Sequence, residues 1–501
     1  MDEAQGDTAG VSPRHASHGA DRANHTDPRH VRSRTREDAT REWGSAPLVA
    51  IHVVTVRVMD DDASCDLCWD RGQTHATCLR KACVLGEGGE TMQWLLIFLV
   101  VGRLLSAHAA LADDALVLPQ GRWRISADAR FSLPITKRFT PGGGTEDLAA
   151  DFNRELNSTT FSDLRLVEAA FHLPAGSATF GRSVVDFERH IQIYALQAAY
   201  GLTDRLSLGV RFPYWTQDIR VKAALDNRTA TVGFNPAVPG GVAPLGVPGT
   251  RPPTTEDIQR LLERLGFRRL QDWSDASFSD SFGGLKYQYY RSEHWRLAAT
   301  GSVRFPTGRW VDPNNLVDYP TGFAAWGLGL QVHQDVVWQQ PGLAQRLGVL
   351  TTGDVVLNTT FGYEAILPDD KPFRVCDIHQ PICPNFDPHV RRDVGDIVEA
   401  EVAGSVGLLP GLTLTPMYTY THKFQDHFHG HLGFNYQVLK AETDADAHTL
   451  DLRLAYSTAL LCAEQRFPVP LSVSLRYVDR LASNNNRLQT RYLGFILAGS
   501  F

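Results

Sequence analysis

The sequence predicts an all-β protein: a closed antiparallel transmembrane β-barrel of about 12 strands, with about 14 as the alternative count, long extracellular loops and one short amphipathic loop helix. Three observations predict it. Apolar and polar residues alternate with period two in many short segments, the connections between them alternate between short and long, and the chain ends on an aromatic, Phe501, behind an alternating apolar run.

Composition sets the frame. With 501 residues, 43% hydrophobic and 21% charged, the chain is globular rather than disordered or collagenous, and a net charge of −7 with no basic tail argues against nucleic acid as a partner. The 42 glycines and 27 prolines against only 4 methionines suit a turn-rich β protein better than a helical bundle.

The N-terminal part divides in two. Met92-Gln93-Trp94 leads into the apolar run Leu95–Gly102, followed by small-residue cleavage options at Ala107-His108-Ala109 and Ala110-Leu111-Ala112. Residues 92–112 therefore read as a secretory signal peptide. The run is too short, and broken by Arg103, for a permanent spanning helix. A signal peptide cannot act behind 91 polar residues, so residues 1–91 are read as disordered or not translated in the native protein. Cys65, Cys68, Cys78 and Cys83 superficially offer four zinc ligands, but the second pair has four intervening residues and no strand framework surrounds it. No cofactor is expected.

From 113 to 501 the chain reads as one barrel. Trp123, Ile125, Ala127, Ala129 and Phe131 alternate with Arg124, Ser126, Asp128 and Arg130. Leu206, Leu208, Val210, Phe212 and Tyr214 alternate with Ser207, Gly209, Arg211 and Pro213; Trp295, Leu297, Ala299, Val303 and Phe305 oppose Arg296, Thr300, Ser302 and Arg304. Leu412, Leu414, Tyr418 and Tyr420, then Leu450, Leu452, Leu454 and Tyr456, then Leu471, Val473, Leu475 and Tyr477 repeat the pattern. Strands are placed near 121–133, 182–200, 205–216, 278–291, 294–306, 322–338, 347–365, 394–408, 411–424, 445–459, 468–481 and 487–501. A soluble sandwich also alternates, so the connections decide.

Tight turns at Gly201–Asp204, Ser292–His294 and Leu409–Gly411, with longer ones near 339–346 and 460–467, separate long polar stretches near 134–178, 217–275, 307–321, 366–393 and 425–444. Short periplasmic turns and long outer loops are what a bacterial outer-membrane barrel requires, and an even strand count returns both termini to the periplasm. Aromatics such as Trp123, Tyr200, Tyr214, Tyr290, Trp295 and Phe305 gather at strand ends, as in interfacial girdles. Leu493, Phe495, Leu497 and Phe501 share a face, resembling the terminal signal read by the outer-membrane assembly machinery. Outer-membrane lipid and that machinery are the expected partners, and the outer membrane the expected location.

Tyr200-Gly201-Leu202-Thr203-Asp204-Arg205-Leu206, Phe212-Pro213-Tyr214, Gly284-Leu285-Lys286-Tyr287, Phe305-Pro306-Thr307-Gly308, Asp312–Asp318 and Phe467–Leu471 resemble the outer-membrane barrels of the phenol-degradation meta-pathway transporter family, over residues 119–501. The resemblance implies passage of small, often hydrophobic or aromatic compounds. A long Pro/Gly-rich second loop departs from that pattern.

The alternation assigns Arg124, Asp128, Arg130, Arg211, Lys286, Arg296, Arg304, Glu399, Glu401, Asp451, Arg453 and Arg476 to the pore lining. Cations outnumber anions in that set, which suggests selection of anionic solutes such as carboxylates; a salt-bridged filling that stiffens the barrel is the alternative. In the second long loop Thr254-x-x-Asp257 resembles a capping box, with Ile258, Leu261, Leu262 and Leu265 on one helical face before Gly266. That helix either occludes the pore mouth or packs on its own loop. Cys376 and Cys383 are spaced to close a loop disulfide in an oxidising compartment, while Cys462 stands alone. His422, His427, His429 and His431 cluster beside Asp426; a surface metal site on His427, His429 and His431 is one reading and a solvated loop the other.

The leading function is therefore an outer-membrane channel for passive uptake of small organic solutes. A barrel enzyme, phospholipase-like or proteolytic, is the second class, although no Gly-x-Ser-x-Gly elbow or placed catalytic triad is present in the sequence. A structural or adhesive barrel is the third. Nothing in the sequence names the solute or the oligomeric state.

Overall fold

The computed structural model describes residues 114–338, 355–468 and 470–501. The expected signal peptide, the extension before it with its four cysteines, and the turn near 339–346 lie outside the described residues.

Twelve strands form the barrel: β1 Trp123–Ser132, β2 Thr179–Thr203, β3 Leu206–Asp226, β4 Ser281–Arg291, β5 Trp295–Phe305, β6 Gly327–Trp338, β7 Val355–Ile366, β8 Ile397–Leu409, β9 Leu412–Lys423, β10 Ala445–Ser457, β11 Leu471–Ser483 and β12 Arg491–Ser500. Each pairs antiparallel with its sequence neighbour. β12 then closes on β1, with Ala127 opposite Leu497, and Trp123 and Phe501 exchange backbone hydrogen bonds of 2.9 Å in both directions. Closure leaves no sheet edge, so every ladder group is satisfied inside hydrocarbon. Two short strands, Glu155–Asn157 and Trp273–Phe278, add to the tops of β2 and β3.

The outer surface carries Phe131, Leu208, Phe212, Leu285, Leu330, Phe361, Val402, Leu454, Leu475 and Phe495, all exposed. A contiguous exposed apolar band of this size on a closed sheet is covered by lipid tails, and with the short turns at one end it places the barrel in a bacterial outer membrane. Trp123, Tyr194, Tyr289, Tyr290, Trp295 and Trp338 rim the band as interfacial aromatics.

Both described termini of the barrel and the tight turns lie at one end. The β2–β3 turn is Asp204-Arg205, the β4–β5 turn is Ser292–His294, and the β8–β9 turn is Pro410-Gly411. Gly411 has φ +79°, and a Cβ there would fall 2.5 Å from the Ser457 carbonyl oxygen, so only glycine fits. The β10–β11 connection holds a short helix, Ala459–Ala463.

At the other end the loops build a crown. β2 has 25 residues and β3 has 21, against 10 to 13 in the other barrel strands, and their surplus length rises out of the membrane as a scaffold. Two helices join it, α1 Leu164–Ala170 and α2 Thr255–Arg264. The capping box at α2 is present: Thr254 and Asp257 exchange side-chain and backbone hydrogen bonds. Its apolar face, Ile258, Leu261, Leu262 and Leu265, packs with Leu156, Phe161, Phe180 and Phe234 in the crown, so the helix buries itself among several loops rather than on its own loop alone. A small sheet of Asp369–Arg374, Phe386–Asp393 and His427–His429 packs Val375, Val390, Phe428 and Tyr436 beside it.

Candidate functional site: the barrel lumen

The inward faces of the strands build the lumen in three tiers. At the turn end the chain ahead of β1 folds back inside. Ala115 is fully buried; its N–H donates to Asp335 Oδ1 at 2.9 Å, and its carbonyl accepts from Gln288 Nε2 at 2.7 Å. Lys286 Nζ donates to the Asp114 carbonyl at 2.5 Å, and the Leu118 and Gln120 N–H groups donate to Ser207 Oγ and Asp204 Oδ1 at 2.8 and 3.0 Å. These partners lie on β3, β4 and β6 and in the β2–β3 turn, so the segment crosses the barrel bore. Arg124 feels the Asp114 carboxylate and Arg296 stands 3.8 Å from Asp335. Asn358 Nδ2 holds Asp335 Oδ1 at 2.8 Å.

One tier up, charges alternate around the wall. Asp128 takes Arg130 at 2.5 Å and Arg476 at 3.8 Å, and Arg476 also binds Asp451. Arg453 joins this group beside Asp451, and Arg211, Glu399 and Glu401 also make polar contacts. His333, fully buried on β6, bridges Thr300 Oγ1 at 2.8 Å and Thr360 Oγ1 at 3.1 Å.

The third tier is the inward fold of the segment between β5 and β6. Asp280, at the foot of β4, accepts from the N–H groups of Gly308 (3.0 Å), Phe323 (2.7 Å) and Ala324 (3.2 Å). Arg304 lies 3.4 Å from Asp280, binds Glu364 at 2.5 Å, and stacks on Phe282 and Phe323. From the far wall Arg189 donates to the Val317 carbonyl at 2.9 Å and Gln217 to the Tyr319 carbonyl at 2.8 Å, which holds the segment across the mouth.

Each of the twelve charged residues assigned to the lining by alternation is buried or half-buried, and the sum of charge around them differs from the sequence count. Asp114, Asp280, Asp335 and Glu364 were not in that count, and they neutralise Lys286, Arg296 and Arg304. Asp335 and Glu364 were readable from parity, since they sit on the polar faces of β6 and β7 opposite Leu330 and Phe361. Asp280 lies between strands, where no period marks it.

In the crown, Cys376 and Cys383 are joined by a disulfide with Cα atoms 5.8 Å apart, and Cys462 forms no disulfide among the described residues. Among the described residues no group of three or more metal-ligating side chains converges: His427 and His429 share one face of a three-residue strand with Phe428 on the other, and His431 lies beyond the strand in a bend. His422 sits apart on β9, bonded to Asp446 at 2.9 Å. His379 instead bridges loops, 3.2 Å from Asp151 and 2.9 Å from Glu442, and these carboxylates raise its pKa, the Asp151 contact most. Asp257 is held well below the usual carboxylate range, first by Arg251 and then by Thr254.

No family model and no curated protein matches the chain. Among solved structures, the COG4313 outer membrane channel from Pseudomonas putida F1 aligns over 78% of this chain and 99% of its own, at 13% identity and a TM-score of 0.42. The Pseudomonas putida toluene transporter TodX aligns over 79% and 99%, at 10% identity and 0.31, and the NanC porin over 63% and 97%, at 10% and 0.26. The fold assignment rests on the strand pairing of this chain.

Proposed function

We propose that this protein is an outer-membrane channel for passive uptake of small organic solutes. One observation carries the reading. In the lumen Asp128 Oδ1, Asp335 Oδ2, Asn358 Oδ1 and Asp451 Oδ1 are buried with no hydrogen-bond donor among the described residues. Buried carboxylate and amide oxygens call for donors, and water entering a polar bore would supply them. A hydrated lumen inside a lipid-facing barrel is a route for solutes.

The mixed lining sets what passes. Cations and carboxylates stand side by side around the wall, which gives water and polar groups local handholds without a ring of one sign. Small aromatic compounds carrying a hydroxyl or carboxyl group fit that surface better than either a strong anion or a pure hydrocarbon. Membrane lipid surrounds the protein, and the Phe501 strand is offered to the assembly machinery.

Liposome swelling with the purified full chain tests the reading. Swelling is expected with neutral and weakly charged small solutes, in the order of their size. No swelling with any solute overturns it, and hydrolysis of phospholipid or peptide by the same preparation moves the protein to the enzyme class.

A further inference from the structure

The crown contains a compartment that the lumen does not explain. A cavity of about 850 Å³ opens between α1, α2, the hairpin of Val232–Phe234 with Val242–Pro244, and the disulfide-closed segment Val375–Asn385. Its wall is mainly aromatic and aliphatic, with Ser158, Ser162, Asn385 and Asn435 among the polar side chains set into it. Phe180 stacks on Phe234 with centroids 5.4 Å apart and meets Phe161 edge-on at 6.0 Å, while Leu166 of α1 is 71% exposed where it faces this space. Such a leucine costs free energy in water unless something covers it. A smaller apolar cleft of about 50 Å³, shared with Leu156, Leu262, Leu270 and Ile382, continues the compartment toward the β2–β3 scaffold.

The wall is held rigid. Arg374 lies 4.1 Å over the Phe267 ring and donates to the Cys383 carbonyl at 3.0 Å and to Asn314 at 2.7 Å, so the disulfide segment is pinned to both neighbouring loops. Charge at the rim is balanced: Arg165 and Arg264 are matched by Asp163 and Asp377. A preformed, predominantly apolar chamber of this size with polar side chains set into its wall is the usual form of a small-molecule site.

We propose that this chamber is a binding site for an uncharged aromatic molecule, mostly apolar but carrying a single polar group, held in the crown before it meets the hydrated bore. The balanced rim disfavours ions of either sign, and Phe171 and Phe234, only half-buried in the wall, offer ring surface to a flat aromatic guest. This deepens the channel reading, on which its role as a capture site rests, yet binding itself is measured without transport.

The test uses the full chain in lipid nanodiscs and the neutral fluorescent probe N-phenyl-1-naphthylamine, with empty nanodiscs subtracted. Saturable fluorescence enhancement is expected. Ala170→Trp, which adds a ring inside the chamber from an exposed helix position, is expected to weaken the apparent affinity about tenfold, and Val238→Trp does the same from the opposite wall. Equal binding in wild type and both variants, or no saturable component in wild type, overturns the site. Swelling with a small polar solute is run beside it. Binding without swelling refutes the channel and leaves the chamber; swelling without binding refutes the chamber and leaves the channel.

Discussion

The N–H of Ala115 donates to the buried carboxylate of Asp335 at 2.9 Å, and through this bond the chain ahead of the first strand is stitched to the opposite wall of the bore. Gln288 and Lys286 complete the stitch two strands away, on β4. A peptide lying across a channel reduces its cross-section, whatever else it does.

Deleting residues 114–119 is therefore expected to raise single-channel conductance in planar bilayers while the heat-modifiable barrel band on gels is kept. The milder pair Gln288→Ala and Lys286→Ala removes two hydrogen bonds, each worth about 1 kcal/mol. It is expected to add brief high-conductance openings. Identical traces from all three proteins would show that the segment does not obstruct flow.

Asp280 gathers three backbone donors and the Arg304 guanidinium. Asp280→Ala leaves those donors and part of a buried cation without a partner, at a cost of about 3 kcal/mol. Lower resistance to urea is expected, together with cleavage near residue 315 by a protease added outside intact cells. Retained protection of that segment would mean that Arg189 and Gln217 hold it unaided.

His379 joins two carboxylates from other loops. Its folded pKa is raised, so its contribution is complete below the unfolded value of about 6.5 and is lost as pH rises through the folded value. Protease nicking of the crown should accelerate as pH is taken from 6 to 9 in the wild type, relative to a reference substrate. The His379→Gln variant should show a flatter profile, and parallel profiles would remove His379 from the account.

Asp257 behaves in the opposite sense. Its folded pKa is depressed by Arg251 and Thr254, so the stabilisation is present above the unfolded value of about 3.9 and disappears as pH falls below it. Asp257→Ala also removes half of the capping box, a loss of about 1 kcal/mol in helix stability. Hydrogen exchange of residues 255–264 should be faster in the variant at pH 7, with the difference shrinking in strong acid.

Leu475 faces lipid in the band. Leu475→Arg should destabilise the barrel by about 3 kcal/mol, against almost nothing for Leu166→Arg in the crown. Equal effects at the two positions would contradict the placement of the hydrocarbon layer.

Much of this was legible beforehand because a barrel wall has a period. Leu208, Phe212, Val473 and Leu475 alternate without interruption, and the existence and order of all twelve strands followed from such runs and their turns, although residues 217–226 of β3 read as part of a polar loop. The capping box at Thr254 was equally plain, being a local pattern. What escaped was non-local. Nothing around Asp280 marks it as the anchor of a segment 28 to 44 residues further on, and nothing at Ala115 shows that it meets Asp335, 220 residues away. The cation excess read along the strands vanished partly for the same reason, since Asp114 and Asp280 approach from outside any strand while Asp335 and Glu364 stand on β6 and β7.

The unequal strand lengths have a last consequence. About ten residues suffice to cross the hydrocarbon layer, so roughly half of the 25-residue β2 stands clear of it as a mast. An antibody or phage approaching the cell would touch the structures hung on this mast first. Foreign peptide epitopes grafted there would be displayed at a distance from the lipopolysaccharide surface, with the wall below left undisturbed.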